Sequence, residues 1–196
     1  MSAAAGPPSP AARASAVRVR AARTGDIETL ERFIADYTHD GTLLPRTHAN
    51  LVQHLRDFRV AHAGARLVGC GALQIVGPEL AEIRSVAVDP AYRGLGIGWR
   101  IVKTLVADAR RRGVPRLFCL TRRADFFARQ GFVEVPKERF PHKVWNDCRL
   151  CPRRHACDEV AMERPLTVTA RRSPPANEAR AAIPAGELRV VSTADA

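Results

Sequence analysis

Gly94, Gly96 and Gly98 alternate with other residues between an apolar run and a long helical one. Ala81–Val88 (AEIRSVAV) reads as a strand. From about Gly96 onward Val102, Leu105, Val106 and Ala109 share one helical face, which Gly113 ends as a left-handed cap. A helix start this rich in glycine sacrifices backbone entropy, so it suits a place where something must come close to the main chain. The first turn of a helix carries N–H groups with no partner and the positive end of the dipole, an anion site. The amides from Leu95 to Trp99 are thus positioned to cradle a pyrophosphate, and a merely flexible turn is the alternative. Two familiar phosphate loops do not fit. A dinucleotide loop has GxGxxG near the first strand and an acid about 20 residues on, whereas these glycines follow the fourth strand. A P-loop needs Gly-Lys-Ser/Thr, and Gly98 is followed by Trp99-Arg100.

Around this loop the chain reads as one domain over 17–168. It is flanked by tails at 1–16 and 169–196 whose Ala, Pro, Ser and charge content predicts disorder. Val17–Ala21 is a short strand. Thr24 is expected to cap a helix carrying Ile27, Leu30, Ile34 and Tyr37, with Asp26 and Glu28 in its first turn. Thr47 caps a second helix with Leu51 and Leu55. Phe58–Ala61 and Arg66–Val76 flank a hairpin turn at His62–Ala65. Pro115–Thr121 is a buried strand, Asp125–Gln130 a short helix closed by Gly131, and Phe132–Val135 and Val160–Val168 are further strands. The order β, α, α, β, β, β, α, β, α, β, β is that of an α+β protein with helices on both faces of its sheet.

Of the 196 residues, 31 are Lys or Arg and 20 are Asp or Glu, a net charge of +11. Nine basic residues and one acid, Asp108, fall between Arg93 and Arg123. Such a run attracts phosphate on a nucleotide cofactor or on nucleic acid, and equally describes an ordinary solvated face. No stretch approaches the ~20 apolar residues that span a bilayer. The N-terminus lacks a charged start followed by an apolar run, so a cytoplasmic protein with no membrane partner is expected. Its five cysteines are then expected to be reduced, with Cys70 and Cys119 inside apolar runs as small core residues. Cys148, Cys151, His155 and Cys157 have the residue types of a tetrahedral zinc set, although a single CxxC also suits a redox-active or merely local thiol group.

Arg93, Gly96 and Gly98 match the Arg/Gln-x-x-Gly-x-Gly/Ala signature of the GNAT acetyltransferases. The flanking VAVDPAYRG and LFCLT…FFARQGF resemble that family's neighbouring segments. The resemblance covers about 17–165 and implies a mixed, mostly antiparallel sheet. Its central parallel strands, Ala81–Val88 and Pro115–Thr121, would splay around the pantetheine arm of acetyl-CoA. The cofactor contacts it implies are Val86, Val88, Arg93, Gly94, Leu95, Gly96, Ile97, Gly98 and Trp99. DGTLLPRT (40–47), AEIRSV (81–86) and FPHKVWNDCRLCPRRHACDE (140–159) resemble the short single-domain bacterial N-acetylglutamate synthases. That likeness implies L-glutamate as acceptor and the first step of arginine biosynthesis. Arg46 would hold a carboxylate, with Arg84 and Lys143 as further cations, since bidentate Arg suits carboxylates. Glu82 would be the general base, and a backbone N–H near Val86–Val88 the donor to the oxyanion. Many members protonate the leaving thiolate with a Tyr on the helix after the fifth strand. Here that helix reads Phe126-Phe127, which leaves Thr121 as the hydroxyl candidate. Cys119 as a covalent nucleophile is disfavoured by its apolar surroundings.

Three other functions compete. Transfer to a different amine would want an acidic pocket for a cationic acceptor, against Arg46, Arg84 and Lys143. A zinc-containing nucleic-acid-binding module would use the basic run, but no helix-turn-helix, stacking motif or paired zinc finger accompanies it. A silent acyl-CoA sensor would bind coenzyme and release no thiol. A homodimer is compatible with each.

Overall fold

The computed structural model describes residues 14–39, 41–141, 147–148, 151 and 153–167. The expected tails lie outside the described residues apart from 14–16. Seven strands are described: β1 (Val17–Ala21), β2 (Phe58–Ala63), β3 (Arg66–Gly77), β4 (Leu80–Val88), β5 (Arg116–Thr121), β6 (Val133–Val135) and β7 (Val160–Pro165). They form one sheet in the order β1-β2-β3-β4-β5-β7-β6. Every pairing is antiparallel except β4 with β5, which is parallel. The helices are α1 (Ile27–Ala35), α2 (His48–Gln53), α3 (Ile97–Arg111) and α4 (Ala124–Ala128).

Alternation along the strands sends side chains to two main cores, with a smaller cluster of Phe118, Phe140 and Ala161 beside them. Val68 and Leu73 of β3, Ala81 and Ile83 of β4 and Leu117 of β5 pack under Ile97, Ile101, Leu105 and Ala109 of α3. Phe58 and Val60 of β2 and Leu67 and Cys70 of β3 pack on the opposite face against Leu30 and Ile34 of α1 and Leu51 of α2. The spacing that predicts each helix is thus the spacing of its buried face. Helix α3 lies very close to the sheet. A Cβ on Gly71 would come within 2.8 Å of Ile101 Cγ2, so only glycine fits there without displacing the helix.

Three local expectations need correction. Thr24 does not cap a helix. Thr24–Asp26 form a 3-10 turn, and the Asp26 carboxylate accepts the Arg23 N–H at 2.7 Å and both guanidinium nitrogens of Arg20 at 2.6 and 2.8 Å. A carboxylate bridging β1 and the start of α1 is stronger than a hydroxyl cap, so the α-helix begins at Ile27, two residues later than a Thr24 cap would place it. The β2–β3 hairpin is tighter than expected, because pairing extends to His62 and Ala63. Asp108, the one acid of the basic run, is buried and forms ion pairs with Arg59 of β2 and Arg111. Much of that run is held structurally: Arg100 donates to the Val17 carbonyl at 2.7 Å, Arg112 to Asp57 at 3.2 Å and Arg116 to Glu163 at 3.2 Å.

Candidate active site

Asp89 begins the turn after β4 by accepting the Ala91 N–H at 2.8 Å. The chain then passes through two left-handed residues, Gly94 (φ 76°) and Gly96 (φ 72°). Gly96 is the residue from which α3 starts, and it has no side chain to accept from the first-turn amides. The first helical hydrogen bond runs from the Arg100 N–H to the Gly96 carbonyl at 3.0 Å, so the amides of Ile97, Gly98 and Trp99 have no acceptor within the helix. Ile97 is buried and anchors the turn in the core, while Gly96, Gly98 and Trp99 line an open cleft of about 1090 Å³. Arg93, Gly94, Val86 and Val88 line the same cleft, whereas Leu95 packs partly against the α3 core.

The cleft exists because two strands part. β4 and β5 pair from Leu80↔Arg116 to Glu82↔Phe118 and no further, although β4 continues to Val88 and β5 to Thr121. Beyond Glu82, the edge of β4 that faces β5 is open. A bulge sits in the same stretch: Cys70 pairs with Ala87 but Ala72 pairs with Arg84, and Ser85 has φ 53°. One inserted residue reverses the inside–outside phase. Ala81 and Ile83 accordingly lie on the α3 side, Ala87 joins the opposite core, and Val86 and Val88 turn toward α3.

Glu82, Arg84 and Gln74 project on the sheet face opposite α3. Glu82 is 3% exposed. Arg84 hydrogen-bonds to Gln74 and lies 3.8 Å from Glu82 and 3.4 Å from Asp147. Arg46, in the loop before α2, joins Glu82 and Arg84 in the cleft wall, and its Nε is buried without a hydrogen-bond partner. Burial lowers the Arg46 pKa from its ordinary value, against the opposing pull of Asp147 and Glu82. The strand gap thus connects an uncapped helix end on one face with a carboxylate and two guanidinium groups on the other.

Thr121 ends β5 within the cleft, and its Oγ1 accepts the Arg123 N–H at 2.9 Å. The hydroxyl proton can therefore still point into the opening. Tyr37 and Tyr92 also line the cleft, although the helical spacing of Tyr37 suggests only a core role. Arg153 is a further residue that spacing does not single out. Its stem packs against Gly41, its Nη2 lies 3.2 Å from Asp158, and its buried Nε has no hydrogen-bond partner. Arg122 donates to the Gly41 carbonyl at 2.8 Å, tying the loop before α2 to the end of β5. Lys143 lies outside the described residues.

The zinc set expected from Cys148, Cys151, His155 and Cys157 does not assemble: no metal-ligating cluster of three or more such side chains occurs among the described residues. Neighbouring cations engage two of the donors instead. Lys137 Nζ contacts Cys157 Sγ at 3.3 Å, and Arg154 Nε contacts His155 Nε2 at 2.7 Å. Cys148, Cys151 and Cys157 line the cleft as thiols. Cys119 is buried and its pKa is raised well above the ordinary thiol value by desolvation, which removes it as a nucleophile. Burial pushes Cys70 up to about 12.

Comparison with known proteins agrees with this geometry. Residues 26–132 match the Acetyltransferase (GNAT) family. An uncharacterized N-acetyltransferase of Chlorobaculum tepidum is 42% identical over 148 residues, which cover 76% of this chain and 96% of that protein. An amino-acid acetyltransferase of Mycobacterium tuberculosis is 38% identical over 135 residues, covering 67% of this chain and 77% of that one. Among solved structures, an N-acetylglutamate synthase from Neisseria gonorrhoeae complexed with coenzyme A and N-acetyl-glutamate superposes with a TM-score of 0.68 at 28% identity. That match covers 77% of this chain but only 35% of the other. A Mycobacterium tuberculosis protein in complex with CoA gives a TM-score of 0.65 at 33% identity, with 76% and 99% covered. Open helix amides, parted parallel strands and these likenesses converge on one conclusion: the chain belongs to the GNAT acetyltransferase family and is an acetyl-CoA-dependent acyltransferase.

Proposed function

We propose that the protein transfers acetyl from acetyl-CoA to the α-amino group of L-glutamate. This would be the first step of arginine biosynthesis, carried out in the cytoplasm. The observation that carries the proposal is the pair of buried guanidinium Nε atoms without partners, on Arg46 and Arg153, in the wall of a cleft that also holds buried Glu82. Such a wall favours an acceptor with two carboxylates and disfavours a cationic one. The amino-acid acetyltransferase and N-acetylglutamate synthase likenesses support the same acceptor class.

In this reading the α3 amides from Ile97 to Trp99, with Arg93 beside them, hold the diphosphate, and the pantetheine arm enters the strand gap. Arg46 and Arg153 offer their unpartnered Nε groups to the acceptor carboxylates, with Arg84 as a further cation in the wall, and aim its amine at the thioester. Glu82 takes the ammonium proton, directly or through one water, and the amine nitrogen attacks the carbonyl carbon. A β4 amide near Val86–Val88 stabilises charge on the carbonyl oxygen. The new C–N bond forms first; as the C–S bond then breaks, the proton released by the attached nitrogen balances the departing thiolate, to which the Thr121 hydroxyl in the cleft can donate a hydrogen bond. No covalent enzyme species is needed.

The test is an acceptor panel: thiol release from acetyl-CoA is followed with each amino acid and the product identified by mass. Glutamate is expected well above aspartate and glutamine. Equal rates across the three would overturn the acceptor assignment, and strong turnover of a polyamine or peptide N-terminus would replace it.

A further inference from the structure

Five cysteines divide into two populations. Cys70 and Cys119 are buried, and desolvation holds their thiols protonated. Cys148, Cys151 and Cys157 line the acetyl-transfer cleft, half-buried or exposed, and no step described above uses their sulfur atoms. Cys148 and Cys151 are joined by a turn hydrogen bond, from the Cys151 N–H to the Cys148 carbonyl at 3.1 Å. A turn closed this way keeps its end Cα atoms within about 7 Å, and disulfides span about 4.4–6.8 Å between Cα atoms. The pair is therefore within bridging reach.

We propose that Cys148 and Cys151 are a reversible dithiol–disulfide site in the cleft wall, oxidised by low-molecular-weight disulfides, whose closure weakens acceptor binding through Asp147 and Arg84. The exchange has two steps. One sulfur of the pair attacks the small disulfide, forming a mixed disulfide and releasing one small thiol, which takes the proton the attacking cysteine gave up. The second sulfur then attacks the mixed disulfide and releases the other small thiol with its proton. Two cysteine thiols are oxidised and one small disulfide is reduced. Asp147 immediately precedes Cys148 and lies 3.4 Å from Arg84, which lies 3.8 Å from Glu82. Drawing the Cys148 sulfur toward Cys151 moves the peptide that carries Asp147, and Arg84 loses one of the groups that orient it, keeping Gln74 and Glu82. The effect on acceptor binding rests on the acceptor site proposed above, whereas the disulfide itself does not.

The test incubates the full chain with glutathione disulfide, blocks the remaining thiols by alkylation, and maps the cysteines by mass spectrometry. A Cys148–Cys151 linkage that dithiothreitol reverses is expected, with Cys70 and Cys119 alkylated only after denaturation. Persistently alkylated Cys148 and Cys151, or a bridge to Cys157 instead, overturns the proposal. In the same samples oxidation is expected to raise the acceptor KM roughly two- to fivefold, the scale of a partly exposed ion pair. In the Cys148→Ser/Cys151→Ser double variant, which forms neither the bridge nor a mixed disulfide at this pair, the oxidant is expected to leave that KM where it was. An oxidised protein with unaltered acceptor KM overturns the link to Arg84. The mapping needs no acetyl transfer, so failure to bridge is distinguishable from failure of the acceptor assignment.

Discussion

Arg46 has a guanidinium whose Nε is buried without a hydrogen-bond partner, close enough to Asp147 and Glu82 to feel their charge. A site of this kind gains most from an incoming carboxylate, at about 1.5–3 kcal/mol for a hydrogen bond to a charged group. Arg46→Ala is therefore expected to raise the glutamate KM by roughly 10- to 100-fold while leaving the acetyl-CoA KM nearly unchanged. Steady-state kinetics in both substrates checks this, and equal effects on the two would remove Arg46 from the acceptor site. In the proposed reaction Glu82 serves the chemistry rather than binding, at the last paired position before the strands part. Glu82→Gln keeps the shape and loses the base, so kcat is expected to fall by about 10²- to 10⁴-fold. An unchanged kcat would assign proton removal to another group. Both residues could be named from the sequence because their segments resemble a known family. Arg153 could not be argued so: its importance is a buried atom packed against Gly41, and burial by a distant segment leaves no local pattern.

Helix α3 and the loop before it form the element that, in the proposed reading, holds the coenzyme. Gly96 sits at φ 72° with nothing within 4 Å of an added Cβ, so the constraint there is conformational rather than steric. An alanine at Gly96 should cost about 1–2 kcal/mol of left-handed strain, or shift the turn to escape it. Gly96→Ala is expected to lower Tm by a few degrees and to weaken acetyl-CoA binding, as read by calorimetry with coenzyme A. Coenzyme affinity equal to that of the unaltered protein would show that the amides are not the phosphate grip. The glycine spacing and the following amphipathic face made this element readable in advance. The β4 bulge was not readable, because Ser85 with φ 53° lies inside an ordinary strand pattern and only pairing with β3 exposes the extra residue.

At the scale of the molecule, stability depends on ties between segments far apart in sequence. Asp26 joins β1 to α1 through Arg20 and the Arg23 amide, and the hydrogen bonds from Arg20 lower its pKa from 3.8 to about 2. A carboxylate with a depressed folded pKa contributes stability above its unfolded pKa, and that contribution is lost as pH falls from about 3.8 through about 2. Because Arg20 is a third exposed, solvent screening brings the contribution to about 1–2 kcal/mol. Asp26→Asn should therefore be less stable than the unaltered protein at neutral pH by about that amount, the two converging below pH 2 in urea unfolding. A gap that persists undiminished in acid would mean that the loss comes from packing instead. The sequence places Asp26 only as a favourable first-turn charge, since neither its burial nor its bond to Arg20 has a local signature.

Local regularities were settled by the sequence alone. Element order, helix faces, the helix stop at Gly113 and the glycine loop all follow from spacing and backbone preference within a few residues, where the physics is short-ranged. Tertiary structure decided what depends on distant segments meeting. Pairing of β4 with β5 ends at Glu82 and opens the cleft. Most of the basic run is drawn into ion pairs and carbonyl contacts. Cys148, Cys151 and Cys157 line the cleft as thiols, with no zinc set assembled among the described residues. Ligand-type residues at suitable intervals form a site only when folding aims their lone pairs at one point, and chain spacing does not encode that convergence.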